Sequence, residues 1–227
     1  MYQLYIANKN YSSWSLRPWV LLRQLQIPFE EKLIFFGDGA RWDEYRKLAP
    51  NGRVPCLLDG TTTVWDSLAI AEYLAERHAT IWPKEGVARA WARSSSAEMH
   101  SSFFELRNRC SMSCGVRMRL HEQPPSLNAD LDRLRVLWND GLCRFGGPFL
   151  AGSAFTAVDA FFAPVAFRIQ TYGLELDAAA DAYAARLLAL DSMQQWYSAG
   201  VAEAVRDAPH EREILSMGTV LQDLRAI

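Results

Sequence analysis

The chain has 227 residues, 50% hydrophobic and 22% charged, with a formal net charge of −2. That length and apolar content suffice for one large domain or two small ones with a sizeable core, and the near-neutral balance argues against a general nucleic-acid binder. The 8 Trp, 11 Phe and 8 Tyr argue against disorder. With no apolar run of the roughly 18 residues a membrane span needs, and no signal-peptide pattern in MYQLYIANKN, a soluble, cytoplasmic protein is expected.

In chain order, Tyr2–Ile6 alternates as a strand should and is closed by Asn8, Lys9 and Asn10. Leu16, Trp19, Val20, Leu22 and Leu25 recur at helical spacing and stop before Ile27 and Pro28. Residues 29–36 read as a second strand, leaving through Gly37, Asp38 and Gly39. Trp42, Tyr45 and Leu48 mark a short helix that ends at Pro50-Asn51-Gly52. Residues 55–58 and 62–65 flank Asp59-Gly60, a strong hairpin signal, and Leu68, Ala71 and Leu74 open a further helix to about His78. The predicted order is β-α-β-α-β-β-α, with no glycine-rich nucleotide loop in it. After residues 81–86, a plausible linker, strand signals vanish. Helices are expected over 87–106, 128–144, 158–171 and 183–199, punctuated by Pro124-Pro125, Gly146-Gly147-Pro148 and Gly173.

Cys56, Cys110, Cys114 and Cys143 are too few and too scattered for a disulfide framework; no CxxC occurs and no metal-ligand spacing accompanies them, so no metal is expected.

Three segments carry candidate chemistry. In Tyr11-Ser12-Ser13-Trp14-Ser15-Leu16-Arg17-Pro18, proline is tolerated cheaply only in a helix's first turn, so the helix should start near Ser13–Ser15. Three hydroxyls then surround a helix N-terminus, where free N–H groups and the macrodipole favour an anion; one serine capping the helix, with the others in the loop, is the plainer alternative. In Arg53-Val54-Pro55-Cys56, a proline opening a strand is either an ordinary trans edge residue or a cis turn offering the Val54 backbone to a strand-like ligand. Asp66-Ser67 starts a helix and serves either as an ordinary cap or as a seat for an α-amino-acid group.

Together, the order of these segments and their frame resemble the thioredoxin-like domain of cytosolic glutathione transferases, and the helical half resembles their C-terminal domain. Ser12-Ser13-Trp14-Ser15-Leu16-Arg17 is similar to the SSCSxR motif of the zeta (maleylacetoacetate isomerase-like) class, Val54-Pro55 to the cis-proline turn, and Asp66-Ser67 to the (Glu/Gln)-Ser pair. The fold expected is an α/β thioredoxin-like domain over residues 1–80, a linker at 81–86, and an all-α domain over 87–227. Thr156 and Asp159 have capping-box spacing and match a folding element of the superfamily, without a catalytic part.

The resemblance implies glutathione as co-substrate. Its thiol, with an ordinary pKa near ~8.5, would be held as thiolate by a hydroxyl at a helix start; lowering that pKa by ~2 units takes about 2.7 kcal/mol, within reach of one charge-assisted hydrogen bond plus the dipole. By register with Arg17 the sulfur contact falls to Ser12, with Ser13 and Ser15 as competitors, while Arg17 anchors the helix. Val54, beside Pro55, would hold the cysteinyl backbone, Asp66 and Ser67 the γ-glutamyl end, and Arg41 and Arg53 the glycyl carboxylate. A small electrophile would lie against Trp14, Met99, His100 and Phe103. Arg107, Arg109, Arg117 and Arg119 form either a solvated face or an acidic-substrate rim. Trp14 replaces the motif's Cys and Asp66 replaces Glu or Gln, so maleylacetoacetate isomerisation is not carried over. The resemblance implies a homodimer. Transferase activity is expected, with cis-trans isomerisation, disulfide reduction or a non-catalytic regulatory role as the alternatives.

Overall fold

The computed structural model describes residues 1–225. β1 (Tyr2–Ile6), α1 (Ser13–Gln24), β2 (Phe29–Leu33), α2 (Gly39–Leu48), β3 (Cys56–Asp59), β4 (Thr62–Trp65) and α3 (Ser67–Ala75) build the first half. Its sheet runs β2-β1-β3-β4, with β1 parallel to β2 and antiparallel to β3. Leu4 and Ile6 alternate inward and are fully buried, and α1 covers them with Leu16, Val20 and Leu22. The β3–β4 hairpin pairs Asp59 with Thr62 and turns at Gly60-Thr61, where Gly60 has φ 59.

α4 (Gly86–Ser101), α5 (Phe104–Arg109), β5 (Val116–Leu120), α6 (Pro125–Phe145), α7 (Ala157–Tyr172), α8 (Ala178–Leu188), α9 (Asp191–Ala202), α10 (Ala208–Met217) and β6 (Gly218–Asp223) follow. α7 runs through the core with nearly every side chain buried. Its start is fixed by Asp159, which accepts from Thr156 N at 2.9 Å, Leu150 N at 3.0 Å and the Tyr183 hydroxyl at 2.9 Å. Burial lifts that carboxyl to about 6. Ile81 and Trp82 are buried, and Ile81 O accepts from Ala157 N, so this connecting segment is packed.

Three sequence expectations change. The single helix over 87–106 is two, broken where Phe103 takes φ 60 and turns its ring into the core. The helical half also contains a strand pair, β5 with β6, which had no local hairpin signal because its partners lie far apart in sequence. Finally, although α1 begins at Ser13, inside the expected range, Pro18 sits beyond the first turn rather than in it. Lacking an N–H, Pro18 leaves the Trp14 carbonyl without its helical donor.

The loop after β1 is locked from the helical half. Glu203 accepts from Lys9 N at 2.6 Å and Asn10 N at 3.2 Å, and Trp196 Nε1 donates to Lys9 O at 2.8 Å. Asn10 Oδ1 accepts from Cys114 N at 3.0 Å and Gly115 N at 3.2 Å. Gly200 permits this approach: a Cβ there would lie 3.1 Å from Asn10 N. The start of α1 therefore hangs from a fixed anchor.

Candidate active site

A cleft of about 310 Å³ opens at the start of α1, with Ser12, Ser13, Trp14, Arg53 and Val54 on its walls. Ser12 is the N-cap of α1 but makes no side-chain cap bond. Its hydroxyl donates to Ser15 Oγ at 2.7 Å, and Ser15 Oγ accepts from Ala7 N at 3.2 Å. Ser15 is fully buried, whereas Ser12 keeps 6% exposure at the cleft and Ser13 is half-buried there. Ser13 Oγ accepts from Arg168 Nη2 at 3.4 Å.

Across the cleft the Val54–Pro55 peptide is cis, and among the described residues the Val54 N–H and C=O have no hydrogen-bond partner. Tyr45 donates its hydroxyl to Arg53 O at 2.6 Å, fixing that backbone from α2. The Arg53 guanidinium is exposed and pairs with no carboxylate among the described residues. Val54, with two unpaired backbone groups, and the cation Arg53 thus line the same cleft as Ser12 and Ser13.

Asp66 and Ser67 stand outside the lining of this cleft and connect to it through Trp14. Arg17 is buried, places its guanidinium 4.1 Å from the Trp14 ring and donates to Ser67 Oγ at 3.4 Å. Burial, then Arg107 and Arg168, push Arg17 well below its ordinary value. Asp66 caps α3 through Leu68 N at 2.8 Å while holding φ 75, a conformation rarely adopted by a non-glycine residue. Its other oxygen lies 3.4 Å from His100 Nε2. His100 packs edge-on against Trp14 at 5.2 Å; burial, aided by Arg17 and Arg107 and opposed by Asp66, lowers its pKa.

The remaining sequence candidates lie elsewhere. Met99 and Phe103 are core residues, 2% and 3% exposed. Arg41 is exposed on α2, 3.4 Å from Asp38, and does not line the cleft. The stretch from Arg107 to Arg119 is not one face: Arg107 turns inward, 4.8 Å from the Trp14 ring, while Arg109 pairs with Glu105 and Glu122 outside.

Sequence reasoning missed much of the opposite wall. It consists of Tyr11, Phe36 and Trp42, then Ser111, Met112 and Arg168, and finally His210 and Glu213 of α10. Arg168 directly follows the apolar run 160–167, a legible oddity; nothing local marked His210. Burial pushes Tyr11 up to about 12, together with its bond to Glu211.

Comparison with known proteins places this geometry. Residues 11–77 match the family described as glutathione S-transferase, N-terminal domain, and residues 118–199 match glutathione S-transferase, C-terminal domain. The glutathione S-transferase-like protein OpS6 of Beauveria bassiana is 27% identical over 71% of this chain and 76% of its own length. A dichloromethane dehalogenase of Methylorubrum extorquens is 43% identical over 24% of this chain, which is 19% of that protein. Among solved structures, a glutathione transferase homologue from Burkholderia GL BGR1 with bound glutathione aligns over 88% of this chain and 97% of its own, at TM-score 0.65 and 22% identity. A theta class enzyme from Xanthomonas axonopodis pv. citri, also with glutathione bound, covers 86% and 96% at TM-score 0.64 and 22% identity. With both of its halves matched in order and its fold shared along most of its length, the chain belongs to the cytosolic glutathione transferase superfamily.

Proposed function

We propose that this protein is a glutathione transferase that holds the thiolate of glutathione at the start of α1 and directs it at a small electrophile. The observation that carries the proposal is one cleft lined both by Val54, whose N–H and C=O have no partner among the described residues, and by Ser12 and Ser13. An extended cysteinyl residue pairing with Val54 as an added strand would bring its sulfur toward the helix start.

Ser12 is the proposed sulfur donor. It now donates to Ser15, but both groups are hydroxyls and can rotate. If Ser15 donates instead, its oxygen still holding the Ala7 N–H, Ser12 can turn its proton to a sulfur without any bond being lost. The α1 dipole and the Arg168 charge behind Ser13 add to the same effect. Arg53 suits the glycyl carboxylate. Asp66 and Ser67, beyond Trp14, suit the γ-glutamyl end, with the His100 ring against Asp66. The two large core side chains Met99 and Phe103 leave the electrophile to Trp14, His100 and the aromatic wall of Tyr11, Phe36 and Trp42.

Calorimetric titration with glutathione, followed by the ultraviolet thiolate band of the complex against pH, tests this. A thiolate forming well below the free thiol's pKa in wild type, and not in Ser12→Ala, supports it. No glutathione binding would return the chain to a non-catalytic member of the superfamily. Haloarenes, epoxides, cis-enediones and organic disulfides then separate transfer from isomerisation and disulfide reduction.

A further inference from the structure

A serine hydroxyl stabilises a thiolate by donating to it but cannot carry away the thiol's own proton, so that proton goes either to solvent or to a group of the cleft. Resting on the function proposed above, we infer that His210, held by Asp207, accepts it. The S–H bond breaks with its electron pair left on sulfur, a bond forms between the proton and imidazole Nε2, and imidazolium and thiolate remain as a pair.

Several observations meet at this residue. His210 lines the same cleft as Ser12 and Ser13. Its ring is stacked on Phe36 at 4.7 Å with planes 29° apart, and on Tyr11 at 5.2 Å with planes 20° apart. Two loops of the thioredoxin-like half thus set the orientation of a ring supplied by α10. Nδ1 lies 2.5 Å from Oδ2 of Asp207, a residue only 8% exposed. Asp207 also accepts from His210 N at 3.2 Å, so cap and ring are fixed by one carboxylate. With Nδ1–H donating to Asp207, the lone pair of the neutral ring is on Nε2, which no described residue occupies. This is the arrangement in which a carboxylate fixes the tautomer of a base and stabilises the imidazolium that forms.

The other groups around His210 are less suited. Tyr11 holds its proton against Glu211, which also takes Arg225. Glu213, one turn further along α10, takes the Ser111 hydroxyl. Arg168 and Arg53 on the cleft walls offer no lone pair in their guanidinium form. Arg168 and Arg53 also favour the thiolate left behind.

The experiment follows, at neutral pH, both the thiolate band and proton release when glutathione binds in weakly buffered indicator solution. It uses wild type, His210→Gln and Asp207→Asn, with His210→Phe as a variant that keeps the ring stack. Wild type is expected to form thiolate while releasing well under one proton for each. In His210→Gln and His210→Phe, release should equal thiolate formed, and the bound thiol's midpoint should rise by about one unit, with Asp207→Asn between. Wild type releasing one proton per thiolate, as the variants do, overturns the role of His210 and leaves the transferase proposal standing. A wild-type complex with no thiolate overturns both.

Discussion

Arg168 of α7 brings Nη2 to 3.4 Å from Ser13 Oγ, at the first residue of α1. A positive charge from the helical half thereby completes the helix start of the other half. Arg168 also donates to Arg107 O at 3.3 Å and to Cys110 O, and it has no carboxylate partner among the described residues. Burial lowers its pKa, and a charge so poorly screened acts strongly on its neighbours.

Replacing that charge should therefore be felt at the sulfur. In Arg168→Met the titration midpoint of bound glutathione is expected to rise by about one unit. Arg168→Lys should recover only part of this, because a point charge cannot serve two carbonyls and Ser13 together. Spectrophotometric titration of the thiolate band measures both; a midpoint unchanged in Arg168→Met refutes the coupling.

The three serines should separate in activity. Ser12→Ala is expected to lower kcat/KM by about a hundredfold, the scale of losing one donor to a developing anion. Ser15→Ala should have a smaller kinetic effect and a stability cost of about 1–3 kcal/mol, since it orphans the buried Ala7 N–H. Steady-state kinetics beside urea melts give the ranking, and equal activity in Ser12→Ala and wild type would exclude Ser12.

Asp159 predicts a pH dependence of stability. Its folded pKa, about 6, exceeds its ordinary 3.8, so the native state holds the proton more tightly than the unfolded chain. Its contribution is complete below about pH 4 and is lost as pH rises through 6, by ~3 kcal/mol in total. Between pH 7 and 5, wild type should gain stability relative to Asp159→Asn in urea melts. Asp159→Ala, which strands the Leu150 and Thr156 N–H groups and the Tyr183 hydroxyl, should be destabilised by several kcal/mol, at ~1–3 per orphaned group.

The clasp on residues 9–10 should be intolerant of change. Gly200→Ala puts a Cβ against the backbone of Lys9 and Asn10, which are themselves pinned, and should cost about 1–3 kcal/mol. Glu203→Ala removes the acceptor of two buried N–H groups and should cost at least as much. Urea midpoints measure both; because α1 hangs from this loop, glutathione affinity should fall with them.

Local chemistry in the sequence determined the first half of this protein. Alternation at Leu4 and Ile6, the Asp59-Gly60 turn and the spacing of Leu16, Val20 and Leu22 are short-range signals. Three serines around a helix start, a proline opening a strand and Asp66-Ser67 at another helix start were legible for the same reason. Only the tertiary structure decided what closes the cleft. Packing sent Met99 and Phe103 into the core and left Arg41 outside, because their helix faces depend on where α4 and α2 dock. It brought Arg168 and His210 in from distant helices, and β6 back to β5. Such contacts join residues far apart in the chain, whose partners are chosen by the fit of whole helices rather than by any neighbour in sequence.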